Sequence, residues 1–208
     1  MIKKVIFDLD DTLIINNENV KENYGNIIKK YNMNSNIDEL YDVIGSYERV
    51  TKKYDRYELL CLINNYYNSN YDIEIVDDII DAVGKWSYDV SKDIIDTLEY
   101  LSNKYDLYVL TNWFYKSQVQ RLKTAGIYKY FKEVRSAEIC TKPNEEAFNQ
   151  FLYDCEPNEC VIIGDDINID MIVPKKMGMD TILCDFKGKN LIYDGKIITD
   201  FKKLVDIL

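Results

Sequence analysis

The chain has 208 residues, 36 acidic against 26 basic, and a formal charge of −10. That balance argues against nucleic-acid polymers and anionic membranes as partners, because both select cationic surfaces. The chain contains no histidine, which removes Ser-His and Cys-His nucleophile pairs, imidazole zinc sites and histidine general bases, and leaves acid–base work to Asp, Glu, Lys, Tyr or Cys.

At 47% hydrophobic the chain can bury a real core, and its length suits one α/β domain with a modest insert. The five cysteines, Cys61, Cys140, Cys155, Cys160 and Cys184, contain no CxxC pair and read as reduced thiols. No leader-like segment precedes the first predicted strand, and no apolar run reaches the roughly 18 residues of a membrane span. A cytoplasmic location without membrane contact is therefore expected.

The first predicted strand, Val5-Ile6-Phe7, runs straight into Asp8, Asp10 and Asp11. Residues two apart in extended chain share a side, so Asp8 and Asp10 face one way and Leu9 the other, with Asp11 in the turn or on the far side. From Asn16 to about Tyr88 the sequence turns Tyr- and Asn-rich with helical spacing: Ile27, Ile28, Tyr31; Leu40, Val43, Ile44, Tyr47; Leu59, Leu60, Leu62, Ile63; Ile75, Val76, Ile79, Ile80, Val83. This predicts about four helices and no strands. Ser91 then caps a predicted helix through Leu101, and Leu107–Leu110 is a short strand ending at Thr111-Asn112. A helix follows to Ala125, closed by Gly126. Glu133–Ser136 reads as a short strand, Asn144–Asp154 as a helix and Cys160–Ile163 as a strand ending at Gly164-Asp165-Asp166. A helix then runs to Gly178, with strands at Thr181–Cys184 and Lys196–Thr199 and a closing helix at Phe201–Leu208. Alternating strands and helices imply a doubly wound parallel sheet, with ligands beyond the carboxyl ends of the strands.

Four stations at those ends carry chemistry. Carboxylates gathered by two strands repel one another and need a compensating cation, for which a hard divalent metal with oxygen ligands is suited. Thr111 and the N–H of Asn112 suit an anionic oxygen. Lys142, before Pro143, is a compact charge able to meet both phosphate and carboxylate. Asp165 can complete a metal site, and Asp170, one turn after Asp166, can orient Lys142 or a metal-bound water.

The order Asp-x-Asp-x-Thr (Asp8, Asp10, Thr12), strand-Thr (Thr111), Lys-Pro (Lys142), Gly-Asp-Asp-x-x-x-Asp (Asp165, Asp170) resembles the haloacid dehalogenase-like hydrolase superfamily over nearly the whole chain. The resemblance implies a Rossmann-like core of residues 1–15 and 89–208 and an inserted helical C1 cap of residues 16–88. Only about thirty residues separate Thr111 from Lys142, too few for the alternative C2 cap. It further implies that Asp8 is the nucleophile, forming an aspartyl-phosphate. Mg2+ is held by Asp8, the Asp10 carbonyl and Asp165, and Asp10 is general acid and then base. Thr111, Asn112 and Lys142 grip the phosphoryl oxygens, with Thr12, Asp166 and Asp170 in support. Relatives that cleave carbon–halogen bonds lack the second acid, since halide leaves without a proton. The expected activity is therefore a magnesium-dependent phosphatase for a small phosphorylated metabolite. A phosphomutase of the same family and a binding or regulatory protein without catalysis stay open. A phosphorelay receiver fits poorly, since it places its Lys last and carries no helical insert.

Three features stand apart from that pattern. Arg49, Lys52, Lys53 and Arg56 recur at helical spacing and read either as a clamp for a second anionic group or as a solvated face balanced by Glu48, Asp55 and Glu58. Pro174 falls inside the last motif's helix and is expected to kink or delay it, with a possible shift of Asp170. Trp113 and Phe114 read as core or as a pocket wall.

Overall fold

A computed structural model describes residues 1–15, 18–86 and 90–208, with the side chains of 18–20 left aside. The strands are β1 (Lys4–Phe7), β2 (Asp106–Thr111), β3 (Glu133–Ser136), β4 (Cys160–Gly164), β5 (Asp180–Cys184) and β6 (Lys196–Ile198). They form one sheet in the order β3-β2-β1-β4-β5-β6, with every pairing parallel. The chain builds outward from β1 to one side, then returns and builds to the other. The reversal beside β1 leaves a crevice beyond the strand ends.

β1 is buried along its whole length, as expected for a strand covered on both faces. Its side chains alternate between two cores. Val5 and Phe7 pack with Leu107, Val109, Val161 and Ile163 on one face. Ile6 packs with Tyr108, Leu110 and Ile162 on the other. The first face is covered by α5 (Lys92–Ser102), α6 (Tyr115–Thr124) and α9 (Leu204–Ile207), and the second by α7 (Glu145–Asn149) and α8 (Ile172–Lys176). Ser91 caps α5 through the Ile94 N–H.

Two elements differ from the sequence expectation. The helix expected over 144–154 stops at Asn149. Lys4 is almost fully buried and takes the Phe151 carbonyl at 2.8 Å together with the Asp154 carboxylate. A buried ammonium needs acceptors, and the chain leaves the helix to present them. After β4, a π-turn over Ile167–Met171 precedes α8. The helix restarts at Ile172, so Pro174 sits in a first turn, where its missing N–H costs nothing. Asp170 consequently keeps its place.

Between β1 and α5 lie α1 (Tyr24–Lys30), α2 (Ile37–Val50), α3 (Arg56–Tyr67) and α4 (Glu74–Gly84). Asn36 caps α2 and Asp55 caps α3, each satisfying N–H groups the helix leaves open. Leu40, Ile44, Leu59, Ile63, Ile75, Val76, Ile79 and Ile80 give these helices a core of their own, continued onto the sheet domain by Trp113, Phe114 and Ala137. At Gly84 a Cβ would meet the Ser117 Cα at 3.3 Å, so glycine lets α4 lie close against α6. The 51–54 loop is tied to the sheet domain by Tyr54 N–H to the Ala137 carbonyl (2.9 Å) and Thr141 N–H to the Lys52 carbonyl (3.0 Å).

Candidate active site

The helical layer and the strand ends enclose a cavity of about 780 Å3. Parallel pairing sets its floor. Phe7 is level with Val109 and Ile163, so Asp8, Thr111 and Asp165 emerge together at the carboxyl edge. Asp8, Asp10, Thr111, Asn112, Lys142, Asp165, Asp166 and Asp170 all line this space, and Leu9 turns fully inward. Asp11 takes a left-handed turn (φ 57°) and pairs with Lys187 instead.

Lys142 Nζ donates to Asp8 Oδ1 and to Asp170 Oδ1, both at 2.6 Å, and all three side chains are buried. Burial works against the Lys142 charge, but Asp170 and Asp8 more than offset it and hold the ammonium well above its ordinary range. Burial is also the main cause that raises the Asp8 carboxyl, against the pull of Lys142 and with repulsion from Asp170 and Asp10. Asp165 is pushed up to about 6 by burial, then by Asp170 and Asp11, although Lys189 stands 3.8 Å away.

Oxygen atoms of Asp8, Asp165 and Asp170 all lie within 4.8 Å of one another. Three carboxylates with one lysine among them leave excess negative charge in a half-dry place. An all-oxygen donor set of that charge fits a hard divalent cation. Asp170 is already engaged on both oxygens, by Lys142 and by the Asp166 N–H at 3.2 Å. It also rests on Gly164, where a Cβ would come within 2.5 Å of its carboxyl carbon.

The remaining expected residues have local tasks. Thr111 Oγ1 accepts from Gln118 Nε2 at 2.7 Å. Asn112 accepts the Lys142 N–H at 2.9 Å and donates to the Lys142 carbonyl at 3.2 Å. Asp166 Oδ1 caps the π-turn by accepting from Asn168 and Ile169 N–H. Thr12 is fully buried, and its hydroxyl has no hydrogen-bond partner among the described residues.

The sequence profile of "Haloacid dehalogenase-like hydrolase" matches residues 5–184. The chain belongs to this family. Among its relatives, the haloacid dehalogenase-like hydrolase YfnB of Bacillus subtilis is 30% identical over 92 residues, a stretch covering 41% of this chain and 39% of that protein. The crystal structure of YfnB bound to magnesium superposes with a TM-score of 0.75 at 20% identity, covering 100% of this chain and 98% of the other. A glyceraldehyde 3-phosphate phosphatase of Methanothermobacter thermautotrophicus is 27% identical over the full length of both chains. A 2-haloacid dehalogenase of Pseudomonas syringae shares the fold at a TM-score of 0.72 and 19% identity, covering 100% of this chain and 98% of that one.

This family member holds its second aspartate with residues that the sequence reading missed. Arg121 is 2% exposed and grips Asp10 with both terminal nitrogens, at 2.6 and 3.1 Å. Gln118 accepts from Arg121 at 2.9 Å and donates weakly to Asp10 at 3.4 Å. Trp86 stacks over the guanidinium at 5.4 Å. In sequence, Gln118 and Arg121 look like the wet face of an amphipathic helix. The available signal was their spacing of three, on the same side as Leu122.

The basic stripe of the helical layer divides. Residues 51–55 are not helical, so the regular spacing from Arg49 to Arg56 is broken. Arg56 pairs with Asp77 on the outside, while Arg49 and Lys52 line the cavity together with Glu48. Trp113 is at once core and cavity wall, and Phe114 is packed in the helical core.

Proposed function

We propose that this hydrolase is a magnesium-dependent phosphatase that cleaves small phosphate monoesters through an aspartyl-phosphate on Asp8. The observation that supports this most is Asp10, a second carboxylate lining the same cavity as Asp8 and gripped by Arg121. An alkoxide needs a proton to leave and halide does not. The glyceraldehyde 3-phosphate phosphatase, alike along its whole length, supports the same reading.

Asp8 attacks phosphorus through an oxygen, Asp10 protonates the departing alcohol and then takes a proton from the water that opens the acyl phosphate. Lys142 and Thr111, with the Asn112 N–H, hold the transferring oxygens. Asp8, Asp165 and the Asp10 carbonyl would hold Mg2+, with Asp170 orienting Lys142. Bound there, the ion supplies charge that offsets repulsion between a carboxylate nucleophile and an anionic ester. Helices α1–α4 act as the cap, over residues 16–88, against a core of 1–15 and 89–208. Both junctions fall on residues 16–17 and 87–89, outside the described residues. No helix among the described residues is long and apolar enough to cross a membrane, and the reading keeps the enzyme cytoplasmic, acting on metabolites rather than polymers.

The test is phosphate release from a broad panel of monoesters, with magnesium and with chelator. Release is expected only with the metal, and Asp8→Asn and Asp10→Asn are each expected to abolish it. Full activity in Asp8→Asn, or faster release of chloride from 2-chloropropionate than of phosphate from any ester, would overturn the reading.

A further inference from the structure

Most charged groups around the cavity floor are already committed. Asp8 and Asp170 share Lys142, Arg121 holds Asp10, Lys189 faces Asp165 and Asp166 caps a turn. The cap wall is different. Glu48, Arg49 and Lys52 all line the cavity, and none of their side chains makes a hydrogen bond or ion pair with another described residue.

The backbone that carries these three groups is nevertheless held in place. Glu48 and Arg49 sit in the last turn of α2, and Arg49 lies along that helix, 3.5 Å from where a Cβ on Gly45 would be. Lys52 belongs to the loop that Ala137 and Thr141 tie to the sheet domain. Glu48 lines the same cavity as Asp10, the carboxylate that the phosphatase reading sets beside the leaving group. A carboxylate facing another carboxylate is relieved by a hydrogen-bond donor set between them. A guanidinium fork fits a carboxylate or phosphate, and an ammonium adds a point charge.

We infer that Glu48, Arg49 and Lys52 form a leaving-group subsite. Its ligand is a phosphate ester whose alcohol portion carries a second anionic group, for Arg49 and Lys52, and a hydroxyl or ammonium on the carbon beside the ester, for Glu48. The inference rests on the phosphatase reading for what occupies the floor. It excludes esters of plain hydrocarbons and of neutral polyols as preferred substrates, since either leaves charged groups of the wall unmatched.

The experiment is calorimetric binding in magnesium to the Asp8→Asn protein, which is expected to bind without turnover, with Asp10→Asn as a second background. The probes are 3-phosphoglycerate (anion and hydroxyl), phosphoserine (anion and ammonium), phosphoglycolate (anion alone) and glycerol 3-phosphate (hydroxyl alone). At least one of the first two is expected to bind about tenfold or more tighter than each of the last two, and the pair separates hydroxyl from ammonium recognition. Adding Glu48→Gln is expected to shrink the advantage over phosphoglycolate. Adding Arg49→Met with Lys52→Met is expected to shrink the advantage over glycerol 3-phosphate. Equal affinity for the four probes, no binding of any, or ratios unmoved by these changes would overturn the subsite. Binding ratios as expected, with no phosphate released by the unaltered protein from any ester, would overturn the phosphatase reading and leave the subsite standing.

Discussion

The side-chain amide of Asn112 brackets the backbone of Lys142, taking its N–H at 2.9 Å and giving to its carbonyl at 3.2 Å. A residue at the end of β2 thereby fixes the loop that carries the site's central cation. Lys142 must reach two carboxylates at once, and small displacements of such a group weaken both contacts. Asn112→Ala is expected to lower kcat by about 10–100-fold with the fold retained, as checked by steady-state kinetics and circular dichroism. Undiminished kcat would show that the loop holds Lys142 without this clasp.

The residues proposed for the chemistry were legible because most of them stand at strand ends. Asp8, Asp10, Thr111 and Asp165 come at or just after an apolar run, Lys142 opens a Lys-Pro step and Asp170 follows Asp166 by one turn, and all six line one cavity. The parallel sheet was legible for the same reason, since fully buried strands read as unbroken apolar runs. Residues that act by holding others were not. Gln118 and Arg121 are polar positions in a helix whose burial depends on what packs above them, and α4 with Trp86 lies far off in sequence. The stripe from Arg49 to Arg56 failed as one face because periodicity has meaning only within one helix, and α2 ends at Val50.

Gly164 is required by the close approach of Asp170, since a Cβ there would lie 2.5 Å from the carboxyl carbon. Gly164→Ala must push Asp170 off Lys142 or displace β4. An overpacked core costs about 1–3 kcal/mol, so thermal unfolding is expected to fall by about 2–12 °C, with activity lost beyond what the unfolded fraction explains. Wild-type stability and rate in this variant would show that the turn has slack.

Arg121 grips Asp10 with both terminal nitrogens, and on the proposed mechanism it acts by positioning that carboxylate. Its removal in Arg121→Met leaves a partly buried carboxylate without its fork, a change worth about 2–3 kcal/mol after allowing for the water that reaches Asp10. The kinetic consequence depends on the leaving group. On the proposed mechanism alkyl phosphates need the proton from Asp10 and are expected to slow by about 100-fold. Acetyl phosphate, whose carboxylate departs unaided, is expected to slow far less. Equal slowing of both would assign Arg121 a purely structural part.

Asp8 and Asp165 are raised by burial and by neighbouring carboxylates, so a divalent cation that relieves them favours the folded state. Saturating magnesium at about a hundred times its dissociation constant adds about 2.7 kcal/mol, or about 5–10 °C in thermal unfolding. Asp165→Asn is expected to lose most of that response. A magnesium-induced shift preserved in Asp165→Asn would place the ion elsewhere.

Glu48 sets a cost in stability against a use in recognition. It is reached by water from the cavity, yet crowding by the protein first, and then the charge on Asp10, push its carboxyl up to about 7, against the pull of Arg49. Its ordinary value is 4.5, so between these values the folded chain holds more protons than the unfolded one. Stability on this account falls as pH rises from 4.5 towards 7, and the full cost stands above 7. Water in the cavity screens the charge, which limits the cost to under about 1 kcal/mol. Glu48→Gln is therefore expected to unfold up to about 2–4 °C higher than the parent at pH 8, with the gain disappearing below pH 4.5. A gain that is the same at pH 4 and pH 8 would mean that the glutamine packs better, with no charge relieved. A gain confined to neutral and alkaline pH is what an unmatched carboxylate gives, and the same carboxylate would find its match in a ligand's donor.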